Sequence, residues 1–372
     1  MTGRLRTFAI VAGALLLVGV GFIFLRGPQP HIEIKAEPLW TIGFFEITNT
    51  LFTSWIVVGV LLLIAVLSTR RMRFIPSGFQ NAMEAVVEAL YTLCVNTAGE
   101  KNGRRFFPVI ATIFLFIVIS NWMALLPVFN AIGKVEVLGA EEAEFFDKAI
   151  VFEDGGGFSL IMPDATELEF HVDEAACAAL EGHEHEECLV HEREVAIATA
   201  LEKEGVDPDA TVGIIAPYFR SVNTDLMSTL SLAIVSAIFV EFWGISTLGL
   251  AGYGSRFFNV KRLAKGNPMG VIDLIVGVLE FVAEIARIIS FTFRLFGNML
   301  AGEILLLMMT FLVPLLLALP FYGLELFVGA IQAFVFAMLT LVFGALAVTS
   351  HDEHEEETHA PGGEAAAVHQ AD

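Results

Sequence analysis

Phe291-Thr-Phe-Arg-Leu-Phe-Gly-Asn-Met-Leu-Ala-Gly-Glu303 is the stretch on which the reading of this chain turns. It lies inside a long apolar run of membrane-spanning character, yet it carries a guanidinium at Arg294, an amide at Asn298 and a carboxyl at Glu303. An ionisable group at membrane depth costs a few kcal/mol even on lenient insertion scales, about 2.5–3.5 at a helix centre. Such groups persist where a cavity solvates them, a partner pairs them or a function uses them. The stretch therefore reads as one that handles an ion inside a bilayer.

Composition agrees. The chain has 372 residues and is 56% hydrophobic, against about 45–50% for soluble domains. Its mean hydropathy is +0.71. Several apolar runs reach the ~20 residues needed to cross a bilayer, so the expected class is an all-α polytopic membrane protein. Acidic residues number 42 against 21 basic, and they cluster: residues 131–216 hold 22 Asp/Glu and four Lys/Arg. No basic patch suits a phosphate backbone, so nucleic acid is not an expected partner. Three cysteines are too few for a disulfide scaffold. No glycine-rich phosphate loop ending in Lys-Ser/Thr is present, so phosphoryl transfer is not expected of this chain, and it is read as a non-enzyme with no cofactor.

About six membrane helices are expected. Residues 1–50 supply an N-terminal anchor helix, apolar from about Phe8 to Leu25, and a linker; a secretory signal is the other reading of the anchor. Residues 51–130 form the first core. A span over about Leu51–Leu67 ends at Arg70-Arg-Met-Arg73, which the positive-inside rule places in the cytoplasm. An amphipathic helix follows from Pro76 to about Asn96, with apolar residues at helical spacing. Phe106–Phe129 is the next span and contains Asn121. Residues 131–216 are an acidic insertion, placed outside the cytoplasm by alternation, with a helix near Glu192–Glu204. Residues 217–350 are the second core. It holds a span from about Asn223 to Leu250, with Asp225 near its outer end and Glu241 within it, and two long apolar segments at about 269–318 and 321–349. The first exceeds a simple crossing, so it is expected as a tight hairpin or a strongly tilted helix. The polar tail 351–372 is read as disordered and cytoplasmic, with both termini on that side.

On a helix of 100° per residue, Asn298 falls about 40° from Arg294, and Ala301 about 20° away on the other side. Arg287 and Glu280 lie within about 40°, and Ser290 and Gly297 within about 60°. That face is polar and rich in small residues, which lets a neighbouring helix approach closely. Glu303 falls about 180° away, on the opposite face. Glu280 and Arg287 read either as members of the Arg294 face or as solvated rim side chains. Glu325 and Gln332, seven apart, share one face of the last segment, and that face is expected to meet Glu303 or Asn298. Two carboxyls in one low-dielectric cleft titrate as a coupled pair, which suits proton relay.

At these residues the chain resembles a known family. Arg294-Leu-Phe-Gly-Asn-Met-x-Ala-Gly-Glu303 is similar to the signature of the a subunit of F-type ATP synthases. Pro76-x-x-Phe-Gln80-x-x-x-Glu84, Asn121-x-x-x-Leu-Leu-Pro127, Asp225-x-x-x-Thr-Leu-Ser231 and Gln332-Ala-Phe-Val-Phe-x-x-Leu-Thr340 resemble its other membrane elements in order. The resemblance covers about 40–130 and 217–350. It implies a proton-translocating stator subunit in the cell (inner) membrane, with two offset half-channels serving the carboxyls of a rotating c-subunit ring. Its other implied partners are b-type peripheral-stalk subunits, the remaining synthase subunits and the lipid bilayer. By resemblance, Arg294 faces the ring and blocks direct passage between the half-channels. Glu303, Glu325 and Gln332, with Asn298 near the junction, line the outer route; Asn121 and Asp225 contribute at its mouth; Glu280 and Ser290 belong to the inner route. Some members have histidine where this chain has Glu325, and serines where it has Ala283 and Ala286.

Rival readings are a Na⁺-translocating version of the same subunit and a secondary transporter using Arg294 for an anionic substrate. The transporter predicts internal repeats and paired broken helices, which the sequence does not display. In the insertion, Cys177, His183, His185 and Cys188 leave three readings open: a disulfide in an oxidising compartment, a weak metal site, or free thiols. No metal is expected in the membrane part.

Overall fold

The computed structural model of the chain describes Gly13 and residues 36–43, 45–70, 72, 74, 75, 78–126, 128, 129, 132–136, 148–152, 159, 160, 167–169, 176, 177, 183–204, 211–257, 269–312 and 318–349. The expected anchor helix at Phe8–Leu25 and the tail 351–372 lie outside these residues.

Six α-helices are present among the described residues: α1 (Asn49–Thr69), α2 (Phe79–Ala124), α3 (His183–Glu204), α4 (Leu226–Phe257), α5 (Met269–Leu312) and α6 (Ala318–Val348). A single 3₁₀ turn, Val222–Thr224, precedes α4. Among the described residues, four helical stretches are long and apolar enough to cross a membrane: Asn49–Thr69, Phe79–Ala124, Leu226–Leu250 and Ala318–Val348. The fifth long helix, α5, carries Asp273, Glu280, Glu284, Arg287, Arg294 and Glu303 along an otherwise apolar sequence. Seven short strands among the described residues, which the helical reading does not include, form two antiparallel sheets.

Two of the long helices are broken by one glycine each. Gly99 in α2 has φ 76 and ψ 165. Gly249 in α4 has φ 74 and ψ 160. Both lie in a region that only glycine enters cheaply. Gly99 therefore divides the amphipathic stretch 79–98 from the apolar stretch that follows, with no intervening loop. The apolar stretch stops at Ala124 rather than near Phe129. Residues 125–129 instead turn through Leu126 N–H to Met123 O (3.0 Å) and Phe129 N–H to Leu126 O (3.0 Å).

By packing, the chain divides into two units. The first comprises Met1–Arg70, Leu115–Thr229 and Phe293–Ala333. In it the hairpin of β1 (Pro38–Ile42) and β2 (Phe45–Thr48) leads directly into α1. The Thr48 hydroxyl caps that helix, accepting from Leu51 N–H at 3.3 Å, and Asn49 N–H donates to Glu37 O at 3.0 Å. Phe52 lies against Trp40 and Phe219, with ring centroids 5.5 and 6.0 Å away.

The insertion of this unit is an α+β element. Its sheet runs in the order β5 (Ser159–Leu160), β3 (Ile132–Glu136), β7 (Thr211–Pro217), β4 (Lys148–Phe152), β6 (Glu167–Glu169). β7, the longest strand, is central, pairing Val135 with Ile215 on one side and Val151 with Val212 on the other. Helix α3 starts nine residues before the expected Glu192, at His183. A Cys177–Cys188 disulfide ties it to the preceding segment, which decides among the three readings of those cysteines. His185 Nδ1 lies 2.9 Å from Cys177 O. No group of three or more potential metal ligands occurs among the described residues.

The second unit comprises Arg71–Phe114, Leu230–Thr292 and Phe334–Asp372. Its core is built from Cys94, Phe106, Ile110, Val240, Trp243, Tyr253, Ala337, Leu341 and Ala347. Trp243 stacks on Phe106 at 4.1 Å between centroids. Gly344 makes room for it; a Cβ there would stand 2.8 Å from the indole. The two arms of α2 approach so closely that a Cβ on Gly103 would lie 2.6 Å from Cys94 O. Buried Ser236 and Thr340 share a hydrogen bond of 2.8 Å, joining α4 to α6 in place of an unsatisfied hydroxyl on each.

Candidate functional site

Two clusters of polar side chains lie among the apolar helices, one in each unit. In the first unit, the last turn of α2 supplies Asn121, the 3₁₀ turn supplies Asn223, α5 supplies Asn298, Gly302 and Glu303, and α6 supplies Glu325, Gly329 and Gln332. Asn223 Nδ2 donates to Asn121 Oδ1 at 2.6 Å, and Asn121 Nδ2 donates to Gly329 O at 3.0 Å. Asn298 Nδ2 donates to Gln332 Oε1 at 2.8 Å. Thus the expected α6 face does meet Asn298. The Glu325 and Glu303 carboxyls interact electrostatically, so the expected carboxyl pair is also assembled.

Two glycines make the cluster possible. The Glu325 carboxylate lies directly against Gly302, leaving no space for a methyl group. Gly329 faces Asn121, whose Cβ would be 3.0 Å from an added Cβ. Small residues let helices approach and polar tips meet. Glu325 is 6% exposed, Gln332 4% and Asn121 1%. Glu325 Oε1 and Gln332 Nε2 keep hydrogen-bonding capacity that no described protein group uses. Buried polar atoms in that condition cost about 1–3 kcal/mol each unless water satisfies them.

The sequence places Arg294 and Glu303 on opposite faces of α5, and burial follows that division. Phe293, Arg294, Gly297, Asn298 and Ala301 are exposed; Leu295, Met299 and Gly302 are buried, and Glu303 is half-buried. Ser290, in the second unit's part of α5, is also exposed. Asp225 holds a structural position. Its carboxylate accepts from Met227 N–H, Ser228 Oγ and Thr50 Oγ1, each at 3.0 Å, capping α4 and linking it to α1.

The second unit contains a cluster that the sequence reading does not assemble. Arg287 forms ion pairs with Glu284, one turn earlier on α5, and with Glu241 of α4, the latter at 3.8 Å. Its guanidinium carbon sits 4.5 Å from the centroid of the Phe343 ring. Its side chain is 10% exposed, so the solvated-rim reading of Arg287 is corrected: a charge there is held by carboxylates and an aromatic face. Glu280 is half-buried. Glu284 and Asn223 are the members that sequence reasoning passed over. The available signals were the i,i+3 spacing of Glu284 with Arg287 and the position of Asn223 two residues before the helix-capping Asp225.

Comparison with known proteins bears on this arrangement. A family model described as ATP synthase A chain matches residues 51–345. ATP synthase subunit a of Gloeobacter violaceus is 26% identical over 332 residues, covering 88% of this chain and 96% of that protein. The family match takes in α1, α2, α4, α5 and nearly all of α6, together with every member of both polar clusters, so the chain belongs to the ATP synthase A chain family.

Proposed function

We propose that this chain moves protons through the Fo sector by two separate polar routes, with Arg294 as the barrier between them and the face of α5 around it turned to a ring of carboxyl-bearing c subunits. Membership in the family makes the chain a non-catalytic Fo subunit, the stator part of the proton channel. The observation that carries the two-route reading is the Glu325–Gln332–Asn298 arrangement beside Glu303. Buried Glu325 and Gln332 stand with half-buried Glu303, and Asn298 reaches Gln332 from the exposed face of α5 that also carries Arg294. A buried carboxyl at Glu325 and a buried amide at Gln332, each with unused hydrogen-bonding capacity, support an aqueous proton path.

In this reading Glu325, Glu303, Gln332 and Asn298 deliver protons from the extracytoplasmic side, with Asn121 at the entrance and Asp225 shaping it. A proton from this route neutralises a ring carboxylate, which can then enter lipid. Arg294 attracts the next deprotonated carboxylate and repels protons that would cross without rotation. Glu280 and Ser290 serve release to the cytoplasm. The spans are the four apolar helices, a tilted α5 paired with α6, and the N-terminal anchor. The insertion lies outside the cytoplasm, where a Cys177–Cys188 disulfide is chemically at home. Both termini are cytoplasmic. The b-type peripheral stalk and the other synthase subunits complete the set of partners.

The test is the full synthase in vesicles, wild type against Arg294→Ala, driven by an imposed pH gradient. Coupled ATP synthesis is expected to fall to background in the variant. Undiminished synthesis with Arg294→Ala removes the mechanism.

A further inference from the structure

We propose that Arg105 and Ser246 bind the phosphate of an anionic phospholipid at the membrane–water boundary, with an acyl chain lying along α4. The proposal is independent of the two-route reading and holds whichever leaflet the site faces. Lys101-Asn-Gly-Arg-Arg105 stands immediately before the apolar stretch of α2, which opens at Phe106. Ser246 and Thr247 lie in the last turn of the apolar span of α4, which ends at Leu250. Both helices break close by, α2 at Gly99 and α4 at Gly249. The Arg105 guanidinium donates to Ser246 Oγ at 2.5 Å and reaches Thr247 Oγ1 at 3.5 Å. Its carbon lies 5.7 Å from the centroid of the Phe242 ring. These contacts hold the cation against α4, where hydrocarbon gives way to headgroups.

The donors at this place outnumber the acceptors. A guanidinium offers five N–H groups and accepts nothing; two hydroxyl oxygens occupy two of them and leave its charge unbalanced. Among the described residues, no carboxylate stands within ion-pair reach of Lys101, Arg104 or Arg105. The Thr247 hydroxyl gives its proton to Trp243 O at 2.9 Å. The Ser246 hydroxyl receives from Arg105, and no described group accepts its own proton. Arg105 from α2 and Ser246 from α4 therefore present N–H and O–H donors together, with no acid beside them. Phosphate oxygens match that set, because a guanidinium fork takes two of them at once. Lys101 and Arg104 are exposed nearby in the sequence and add positive charge. A zwitterionic headgroup would bring its own ammonium to that patch, so a headgroup of net negative charge fits better.

The surface beside the donors says why the phosphate belongs to a lipid. Ser246 heads a row on α4 that continues through Phe242, Ile238 and Ile234, each four residues from the last and all exposed. Residues at that spacing share one helix face. The row runs about 18 Å at 1.5 Å per residue, a little over one leaflet of a ~30 Å hydrocarbon core. A phosphate seated on Arg105 thus places its chain on an apolar ridge of matching length. The Phe242 ring belongs to both parts, bearing on the guanidinium and opening the ridge. A free phosphate would use the donors alone and leave the ridge uncovered.

The experiment uses the complete synthase, purified in detergent, and a phosphatidylglycerol that carries a photoreactive group near its headgroup. Labelling of peptides covering 101–107 and 242–250 is read by mass spectrometry. Unlabelled phosphatidylglycerol is expected to abolish it, with phosphatidylcholine and inorganic phosphate at least about tenfold weaker as competitors. Arg105→Gln is expected to weaken labelling about tenfold or more, the scale for a hydrogen bond to a charged group. Arg105→Lys keeps the charge and loses the fork, so it should fall between. Ser246→Ala is expected to cost about threefold, the scale for a neutral hydrogen bond. Arg70→Gln removes an exposed cation at the end of α1 and should leave labelling unchanged. Wild-type labelling in Arg105→Gln overturns the proposal. So does an equal loss in Arg70→Gln, for then rim charge acts without a site. Phosphatidylcholine competing as well as phosphatidylglycerol overturns the selection of an anionic headgroup. Inorganic phosphate competing as well gives the donors to a soluble anion and overturns the lipid. Should Arg105→Gln not assemble, unchanged labelling in Arg105→Lys and Ser246→Ala overturns it equally.

Discussion

Replacing Gly302 by alanine separates the position of Glu325 from the stability of the fold. An alanine Cβ at 302 would collide with the Glu325 carboxylate, to which its three nearest heavy atoms belong. That carboxylate is the far end of a flexible side chain, so it can swing away while the backbone of α5 and α6 stays put. Alanine in a helix interior is better than glycine by about 1 kcal/mol. Rehousing one buried carboxylate costs about the same or somewhat more, so the net stability change should stay within about 1–2 kcal/mol. Function should respond far more. A reacting group displaced by ~1 Å can lose up to about a hundredfold in rate, and Glu325 would move away from Glu303. Proton pumping by assembled synthase is expected to fall at least about tenfold. Gly329→Ala is the matched control. Its Cβ would meet Asn121 Cβ at 3.0 Å, an atom fixed to the backbone, so overpacking should cost about 1–3 kcal/mol. The assay is dye-reported pumping in inverted vesicles, normalised to assembled complex, beside thermal melting of the purified synthase. Wild-type pumping in Gly302→Ala would refute the placement of Glu325 on the route. A Gly302→Ala variant less stable than Gly329→Ala would refute the reasoning about which neighbour yields.

Two further outcomes follow from the backbone and the insertion. Gly99→Ala forces φ 76 on a residue with a side chain, so it should cost about 1–3 kcal/mol, read as a lower melting temperature of the assembled complex. Changing Cys177 and Cys188 together to serine opens a loop of sequence separation 11, which the chain-entropy model values at somewhat under 3 kcal/mol; limited proteolysis should then cut near α3 faster while proton flux stays at the wild-type level.

Much of the membrane part is legible in sequence because the bilayer imposes length and polarity together. The start of α5 at Met269 and the end of α6 at Val348 follow from where apolar runs meet polar residues, whereas the end of α5 at Leu312 and the start of α6 at Ala318 lie within apolar sequence. The split between Arg294 and Glu303 follows from nine residues at 100° each. The Asn298–Gln332 contact follows from two polar interruptions that need partners in an apolar setting. The Arg287 cluster is different. Glu241 and Arg287 are 46 positions apart, and no periodicity within one helix reveals which side chains a second helix brings to it. Asp225 illustrates the converse. A carboxylate at a span's edge looks like a channel group, yet its spacing to Met227 and Ser228 is also that of a helix cap, and the cap is where its oxygens go. The insertion sheet hid for another reason. β5 and β6 have two and three residues, too short for alternation to register, and acidic segments around β4 and β7 mask their apolar centres.

Those same two strands decide how the insertion behaves among its copies. A sheet's outermost strands expose unpaired amide and carbonyl groups on which another chain can build. Here the longest strand, β7 with seven residues, is enclosed between neighbours, and the flanks end in strands offering only two and three positions for pairing. Among the described residues, the insertion's sheet therefore offers a neighbouring chain only short edges on which to pair. The insertion can be large and rich in backbone pairing, yet remain an unsociable surface.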